Sequence, residues 1–370
     1  MNGYHPSRVE IDINRLQLNI SIVRNFIGKS LYCLPVKANA YGHGLEKIAK
    51  ASLEAGVDFL AVACLQEGVL LRKAGIESPI IVFGAFHENQ IEDLIRYDLQ
   101  FSISSQLKAR WVKEVCEKIG KTCQVHIEVD TGIQRTGVRP ATALFLLEYI
   151  YSSPVFEPVG IYSHFATGDG PGHPFVYHQI ELFNELKRHP DLVDKKLIWH
   201  LANSGGTAYY PESHFDMVRP SLLTFGYLMD ELPSALSGIA PCFSLKSHVS
   251  YFKVVEKGKG ISYDHTYTTE KESRIVTVPV GYGDGYPRAL SNKAEVLIRG
   301  KRYKIAGTIC MDQFMVDIGN DEVFVGDEVV LIGTQGEEQI TAKHLATLCD
   351  TNPREILCLL NNRLPRKFSP

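Results

Sequence analysis

The chain has 370 residues, enough for two domains or for one large barrel with an appendage. A formal net charge of −3, with no dense Lys/Arg run, argues against a nucleic-acid partner. No apolar stretch reaches membrane-spanning length, and the polar opening segment 1–10 does not read as a signal peptide, so no membrane association and a cytoplasmic location are the default expectations. From the N-terminus onward, short apolar runs alternate with amphipathic stretches. The runs are LYCLPVKA (31–38), FLAVAC (59–64), PIIVFG (79–84), LQFSIS (99–104), CQVHIEVD (123–130), FEPVGIYSHF (156–165), LIWHLANS (197–204) and FDMVRPS (215–221). Near-continuous apolar runs of this length read as parallel strands buried on both faces. The stretches between them predict helices, for example over 45–55, 66–74, 105–118 and 141–152, although 205–214 is short for one. Eight strands alternating with helices predict an α/β TIM barrel, (β/α)8; an open doubly wound sheet is the alternative. Beyond about residue 240 the pattern changes to period two, as in SHVSYFKVV, SRIVTVPVGYG, KAEVLIRGKRYKIAG and EVVLIG, with turn signals between. This predicts a barrel over 1–240 and a mainly antiparallel β domain over 241–370, which also holds one helix at 341–348 and a final strand-like segment.

The eight cysteines form no CxxC pair, so zinc or dithiol chemistry is not expected. Cys33 and Cys64 fall in apolar runs, where cysteine is usually a small core residue. Cys310 is left open. Phosphate and hydrolase motifs such as GxxxxGK[ST], HExxH and GxSxG are missing, and the glycines of GYGDG (281–285) have the wrong spacing for a dinucleotide turn.

A barrel places its active site at the C-terminal ends of its strands. In chain order those ends carry Lys37, then Asp130 and Arg135, then His164, then Asn203 and Ser204, then Arg219. Each has a bland reading: a solvated strand end for Lys37, a turn cap for Arg135, a core histidine for His164, an ordinary strand-to-helix turn for Asn203-Ser204-Gly205-Gly206. Their recurrence across five strand ends points instead to a site for an anionic ligand, and backbone amides at the 203–206 turn would suit phosphate.

Several blocks then resemble one family. VKANAYGHG (36–44) is similar to the cofactor-lysine motif of bacterial alanine racemases. The resemblance continues through DTGIQRTG (130–137), GIYSHFATGD (160–169), HLANSGG (200–206), VRPSLLTFGY (218–227), ISYDHTYT (261–268), VPVGYGDGYPR (278–288) and GTICMDQFMVDIG (307–319). The resemblance implies a pyridoxal 5'-phosphate enzyme that interconverts L- and D-alanine, supplying D-alanine for peptidoglycan, and works as a head-to-tail homodimer. It implies that Lys37 carries the cofactor and that Tyr263, from the partner's β domain, is the second base. Tyr41, His164, Asn203, Ser204, Ser221 and Leu222 would surround the cofactor and its phosphate, and Arg219 would donate to the pyridine nitrogen. Arg135, Tyr282 and Met311 would bind substrate, with Glu128 and Asp312 in support.

The residue types agree with racemisation, which removes a proton from one face of a carbon and returns one to the other, and so needs two acid–base groups. A phenol needs cationic or hydrogen-bonding help to serve as a base near neutrality; a chain from Tyr263 through His164 to Arg219 would supply it. An arginine opposite the pyridine nitrogen keeps its own proton and leaves that nitrogen unprotonated. Three positions depart from the family pattern: Glu128 stands where relatives often have a carbamylated lysine, Asn362 where a phosphate-binding tyrosine is usual, and Ser221 where a glycine is usual. The rival readings are racemisation of serine or lysine, a related-fold amino-acid decarboxylase, and a non-catalytic cofactor-binding protein.

Overall fold

Apolar runs that are too short for helices and flanked by helix-length amphipathic stretches have one economical arrangement, in which strands pair in parallel and helices cover them. The computed structural model, which describes residues 5–227 and 231–369, has that arrangement. After β1 (Arg8–Asp12) come eight strands: β2 (Leu31–Pro35), β3 (Phe59–Val62), β4 (Ile80–Val82), β5 (Gln100–Ile103), β6 (Cys123–Glu128), β7 (Phe156–Tyr162), β8 (Ile198–His200) and β9 (Met217–Val218). They pair in parallel in the order β8-β7-β6-β5-β4-β3-β2-β9. Backbone bonds from Asp216 N to Trp199 O and from Arg219 N to Ala202 O link the β8 and β9 edges, so the barrel is nearly closed. The expected TIM barrel is therefore present and the open doubly wound alternative is not. Every residue of β3, β4 and β5 is buried, as strands enclosed on both faces require. Cys33, Phe59, Ala61, Ile81 and Met217 form one apolar cluster of the barrel.

The helices 45–54, 65–73, 106–119 and 140–151 lie within a residue of their expected bounds. Local chemistry explains their ends. Ser105 Oγ accepts from Lys108 N at the start of the third, and Gly120, at φ 65°, ends it in the left-handed conformation that glycine tolerates. Cys64 departs from expectation: it lies two residues beyond the strand, at the N-cap of the helix Leu65–Lys73, and is exposed. Cys33 is fully buried, and burial pushes its thiol up to about 12.

The remaining strands are β10 (Phe243–His248), β11 (Tyr251–Val255), β12 (Gly260–Ile261), β13 (Tyr267–Thr268), β14 (Ser273–Val278), β15 (Glu295–Ile298), β16 (Lys301–Lys304), β17 (Phe314–Gly319), β18 (Glu328–Gln335), β19 (Glu338–Ile340) and β20 (Arg366–Ser369). Most pairings among them are antiparallel, in a sheet ordered β16-β15-β18-β10-β1-β20, with β19 on β18, and in a second sheet β11-β14-β17. The burial of β10 alternates strictly, the signature of a sheet with one face toward the core.

Two compact units result. One comprises Leu16–Ala40 and Leu45–Ala240; the other comprises the described residues of Met1–Arg15, Tyr41–Gly44 and Pro241–Pro370. The late boundary between them falls at 240/241. The start of the chain groups with the C-terminal unit, because β1 pairs antiparallel with β10 and parallel with β20. Gly42 belongs with them: Arg366 Nε donates to its carbonyl. A second helix, Pro353–Leu359, capped by Asn352 and with Pro353 at its first turn, follows the expected one in the C-terminal unit.

Candidate active site

Strand β2 ends at Pro35, and Val36 N still bonds Ala61 O of β3. The chain then turns the wrong way. Ala38, Asn39, Ala40 and Tyr41 have φ of 52°, 56°, 52° and 52°, a left-handed turn built from four non-glycine residues directly after Lys37. Such a conformation costs roughly 1–2 kcal/mol per L-residue and persists only where the surroundings impose it. The restraints are visible. Ala40 N bonds Val36 O at 2.7 Å, Leu45 N bonds Asn39 Oδ1 at 2.8 Å, and Ala38 N bonds Glu67 Oε1 at 2.6 Å. The other oxygen of Glu67 accepts from Ala63 N at 2.9 Å. Lys37 itself is exposed at this strand end.

Arg219, just past β9, is buried (4% exposed). Its Nη1 lies 2.9 Å from His200 Nδ1; its Nη2 donates to Ser163 O at 2.8 Å and to Leu201 O at 3.3 Å, and lies 3.4 Å from His164 Nδ1. The guanidinium lies over the rings of Phe83 and Tyr162. The chain of bonds continues into the barrel: His200 Nε2 to His126 Nδ1 at 3.0 Å, His126 Nε2 to Gln100 Oε1 at 2.8 Å, and Gln100 Nε2 to Gln124 Oε1 at 2.8 Å. A guanidinium only donates, so every proton in this chain is assigned. His200 accepts on Nδ1 and donates from Nε2, and His126 does the same. Burial, and then the Arg219 charge, holds both imidazoles neutral, His126 down to about 3 and His200 well below its ordinary value. Burial also pulls Arg219 down, opposed by Cys33, Tyr162 and Glu128. Both Nη atoms are committed, and Nε is the guanidinium donor with no partner among the described residues. That is the donor an aromatic ring nitrogen needs.

The segment after β6 leaves the strand and returns: Asp130 N bonds Val138 O and Val138 N bonds Glu128 O. Asp130 Oδ1 accepts from Gly132 N and Gln134 N and so shapes the loop that carries Arg135. Gly137, at φ 106°, closes it; a Cβ there would lie 2.9 Å from Asp130 N. Glu128 is buried (5% exposed), and its Oε1 accepts from Thr136 Oγ1 at 2.7 Å. Its charge, after burial, pushes the Tyr162 hydroxyl well above its ordinary range. Arg135 is exposed and forms no ion pair among the described residues; Glu128 reaches its neighbour Thr136 instead.

Strands β8 and β9 each end in a short helical turn, Ser204–Tyr209 and Ser221–Phe225. Asn203 Oδ1 caps the first by accepting from Gly206 N, and Ser204 Oγ accepts from Leu223 N, joining the two turns. Gly205 is required there, since a Cβ would lie 1.7 Å from Gly168 O. First-turn amides of this kind are the donors a phosphate takes. The turn that carries Asn203 and Ser204 is thus tied to the turn that carries Ser221 and Leu222, with Arg219 between the turns in sequence.

In the β unit, three loops are tied into one surface. Tyr282 N bonds Cys310 O, Gly283 N bonds Met311 O, and Thr308 Oγ1 donates to Tyr263 O. Ser262 Oγ donates to Thr308 O, and Cys310 Sγ lies 3.5 Å from Ser262 Oγ. Arg363 bridges two of the loops, its Nη2 2.8 Å from Asp312 Oδ1 and its Nε 3.3 Å from Oδ1 of the buried Asp284. Tyr263 (66% exposed), Met311 (53%) and Tyr282 (42%) stand open on these loops, and the Met311 N–H finds no acceptor among the described residues.

Sequence reasoning missed Glu67, His200, His126, Gln100 and Arg363. A signal existed for Glu67, a glutamate at the third position of its helix, where side chains reach back to amides before the helix.

The models of two domain families match the chain: alanine racemase, N-terminal domain, over residues 11–229, and alanine racemase, C-terminal domain, over 242–368. An alanine racemase of Symbiobacterium thermophilum is 40% identical over 375 residues, covering 100% of this chain and 98% of the relative. The crystal structure of the alanine racemase of D-cycloserine-producing Streptomyces lavendulae superposes with a TM-score of 0.93 at 32% identity, covering 100% of this chain and 98% of that one. A histidine racemase of Leuconostoc mesenteroides subsp. sake has the same fold at 27% identity and a TM-score of 0.91, covering 99% of each chain. With both domain models matched in order, and full-length relatives at this identity, the chain belongs to the alanine racemase family.

Proposed function

We propose that this chain interconverts L- and D-alanine with Lys37 and Tyr263 as bases on opposite faces of the substrate, in a cytoplasmic head-to-tail homodimer that supplies D-alanine for peptidoglycan. The observation that carries the reading is Arg219, a buried guanidinium fixed at both Nη atoms with Nε uncommitted. The family uses pyridoxal phosphate, and the residues present fit it. Arg219 Nε suits the ring nitrogen, and the joined turns at Ser204 and Leu222 suit the phosphate. Lys37 would hold the cofactor covalently, with Tyr41 and His164 beside it. Bound there, the cofactor supplies the electron sink that acidifies the substrate's α-carbon.

The chain's own residues do the rest. Lys37 Nζ takes a proton from D-alanine or returns one to make it, and the Tyr263 hydroxyl does the same on the L face. Arg135 and the Met311 amide hold the substrate carboxylate. Tyr282 narrows the space for the side chain, and Arg363 steadies Asp312 beside Met311. Racemisation of serine or lysine is the second reading, since pocket shape sets side-chain choice and this fold also serves a histidine racemase.

Incubating the purified, cofactor-loaded protein with L-alanine, L-serine, L-lysine and L-histidine, then resolving the enantiomers, tests the proposal. Alanine should racemise fastest, without release of carbon dioxide. Borohydride reduction followed by peptide mapping should place the cofactor on Lys37; a label on another lysine overturns the assignment.

A further inference from the structure

The left-handed turn after Lys37 is held in part by a side chain from another element. Glu67 lies on the helix Leu65–Lys73 and forms no salt bridge among the described residues. Its carboxylate is spent on two backbone amides: Ala38 N on Oε1 at 2.6 Å and Ala63 N on Oε2 at 2.9 Å. Ala38 is the residue directly after Lys37 and the first with positive φ; Ala63 directly follows β3. One carboxylate therefore ties the ends of two neighbouring barrel strands, at the point where the backbone leaves its preferred conformation. Bonds to an ionised acceptor are roughly twice as strong as neutral ones, and a carboxylate can serve two donors at once. A neutral amide cannot replace it, because only one of its two terminal atoms accepts.

We propose that Glu67 is a positioning residue for the reaction. It clamps the Ala38 amide, holds the left-handed turn, and so fixes the direction in which Lys37 leaves the strand for proton transfer on one face of the substrate. The proposal rests on the two-base reading above. It assigns Glu67 to Lys37 alone, so its effect should be one-sided.

The test uses Glu67→Gln and Glu67→Asp. In Glu67→Gln, amide hydrogen exchange at residues 38–41 should quicken by about tenfold, in cofactor-free and loaded protein alike, with the barrel strands unchanged, as loss of one charge-assisted bond implies. In the loaded enzyme kcat/KM should fall by about tenfold. The primary isotope effect with α-deuterated D-alanine should rise and that with α-deuterated L-alanine should fall, because the Lys37 step becomes slower than the Tyr263 step. Glu67→Asp, which keeps the charge on a shorter stem, should lie between the variant and the parent. A general folding defect would lower the rate without changing the ratio of the two isotope effects. Unchanged exchange at 38–41, or an unchanged ratio, overturns the proposal. Tyr263→Phe, followed in parallel by α-proton exchange in deuterated water, should lose exchange from L-alanine far more than exchange from D-alanine. If it loses both equally, the two-base reading falls, and the clamp is then decided by amide exchange alone.

Discussion

At the scale of single residues, Glu128 shows how a permanent charge does local work. It is buried, accepts from Thr136, and bears electrostatically on Tyr162 and Arg219. Its reach to Arg135 is indirect, through the loop that Thr136 and Arg135 share. Glu128→Gln keeps the shape and an acceptor but removes the charge. Losing a charge-assisted bond costs about 1.5–3 kcal/mol, and the indirect route puts the effect at the low end, about a tenfold rise in KM or fall in kcat. Thr136→Val should reproduce most of it. Parental kinetics in both correctly folded, fully cofactor-loaded variants would leave Glu128 with a purely structural role. Residues of this kind differ in how plainly a sequence displays them. Lys37, Asn203 and Arg219 each follow an apolar run, so their position at a strand end is readable. His126 and Gln100 sit inside such runs. In a strand buried on both faces alternation is lost, and an inward polar residue looks like any other interruption.

At the scale of elements, β5, β6, β8 and the segment after β9 together carry the polar chain Arg219–His200–His126–Gln100 through an otherwise apolar barrel. Fully satisfied buried networks of this sort fix geometry, and a single missing partner is costly. The chain also makes the barrel sensitive to acid. In the unfolded state His126 takes up a proton near its ordinary value of about 6.5, whereas folding holds it down to about 3. The unfolded chain therefore binds more protons across that interval. The stability contributed by neutral His126 is fully present above about 6.5 and is lost as pH falls toward about 3, with His200 acting in the same direction. Urea unfolding at pH 7, 5 and 4 should show a steady loss for the parent. His126→Gln can still accept and donate but does not titrate, so it should lose less; an equal loss would remove His126 as the cause. The strands themselves were readable because their lengths and apolar content admit no helix. The helix Pro353–Leu359 is less legible, although Asn352, Pro353 and Glu355 carry capping chemistry in order, because its 7 residues are too few to display a helical period. Strand β1 was less accessible: its partners β10 and β20 lie hundreds of residues away, and five alternating residues at a chain start do not name a distant sheet.

At the scale of the molecule, the two expected bases belong to different units, Lys37 to the barrel unit and Tyr263 to the β unit. The β unit presents Tyr263, Tyr282 and Met311 on loops tied to one another, three large side chains left open together. Exposed apolar groups clustered this way suit a surface for another molecule to cover. In the proposed head-to-tail homodimer that molecule would be a second copy, and each of two equivalent sites would combine one subunit's Lys37 with the other's Tyr263. The consequence is countable. A subunit carrying Lys37→Ala paired with one carrying Tyr263→Phe makes one site that lacks both bases and one that has both. If equal amounts exchange at random, half of the dimers are hybrids with one intact site in two, so the mixture should recover about a quarter of the parental activity. Each variant alone should stay inactive or nearly so in racemisation. A site built within one subunit would give no recovery at any mixing ratio. Subunit exchange must be shown separately, by mass-labelled subunits or a fluorescence transfer pair. With exchange demonstrated, a mixture that stays inactive would place both bases in the same subunit and overturn the shared-site arrangement, while leaving the roles of Lys37 and Tyr263 themselves to cofactor mapping and to α-proton exchange followed separately for each enantiomer.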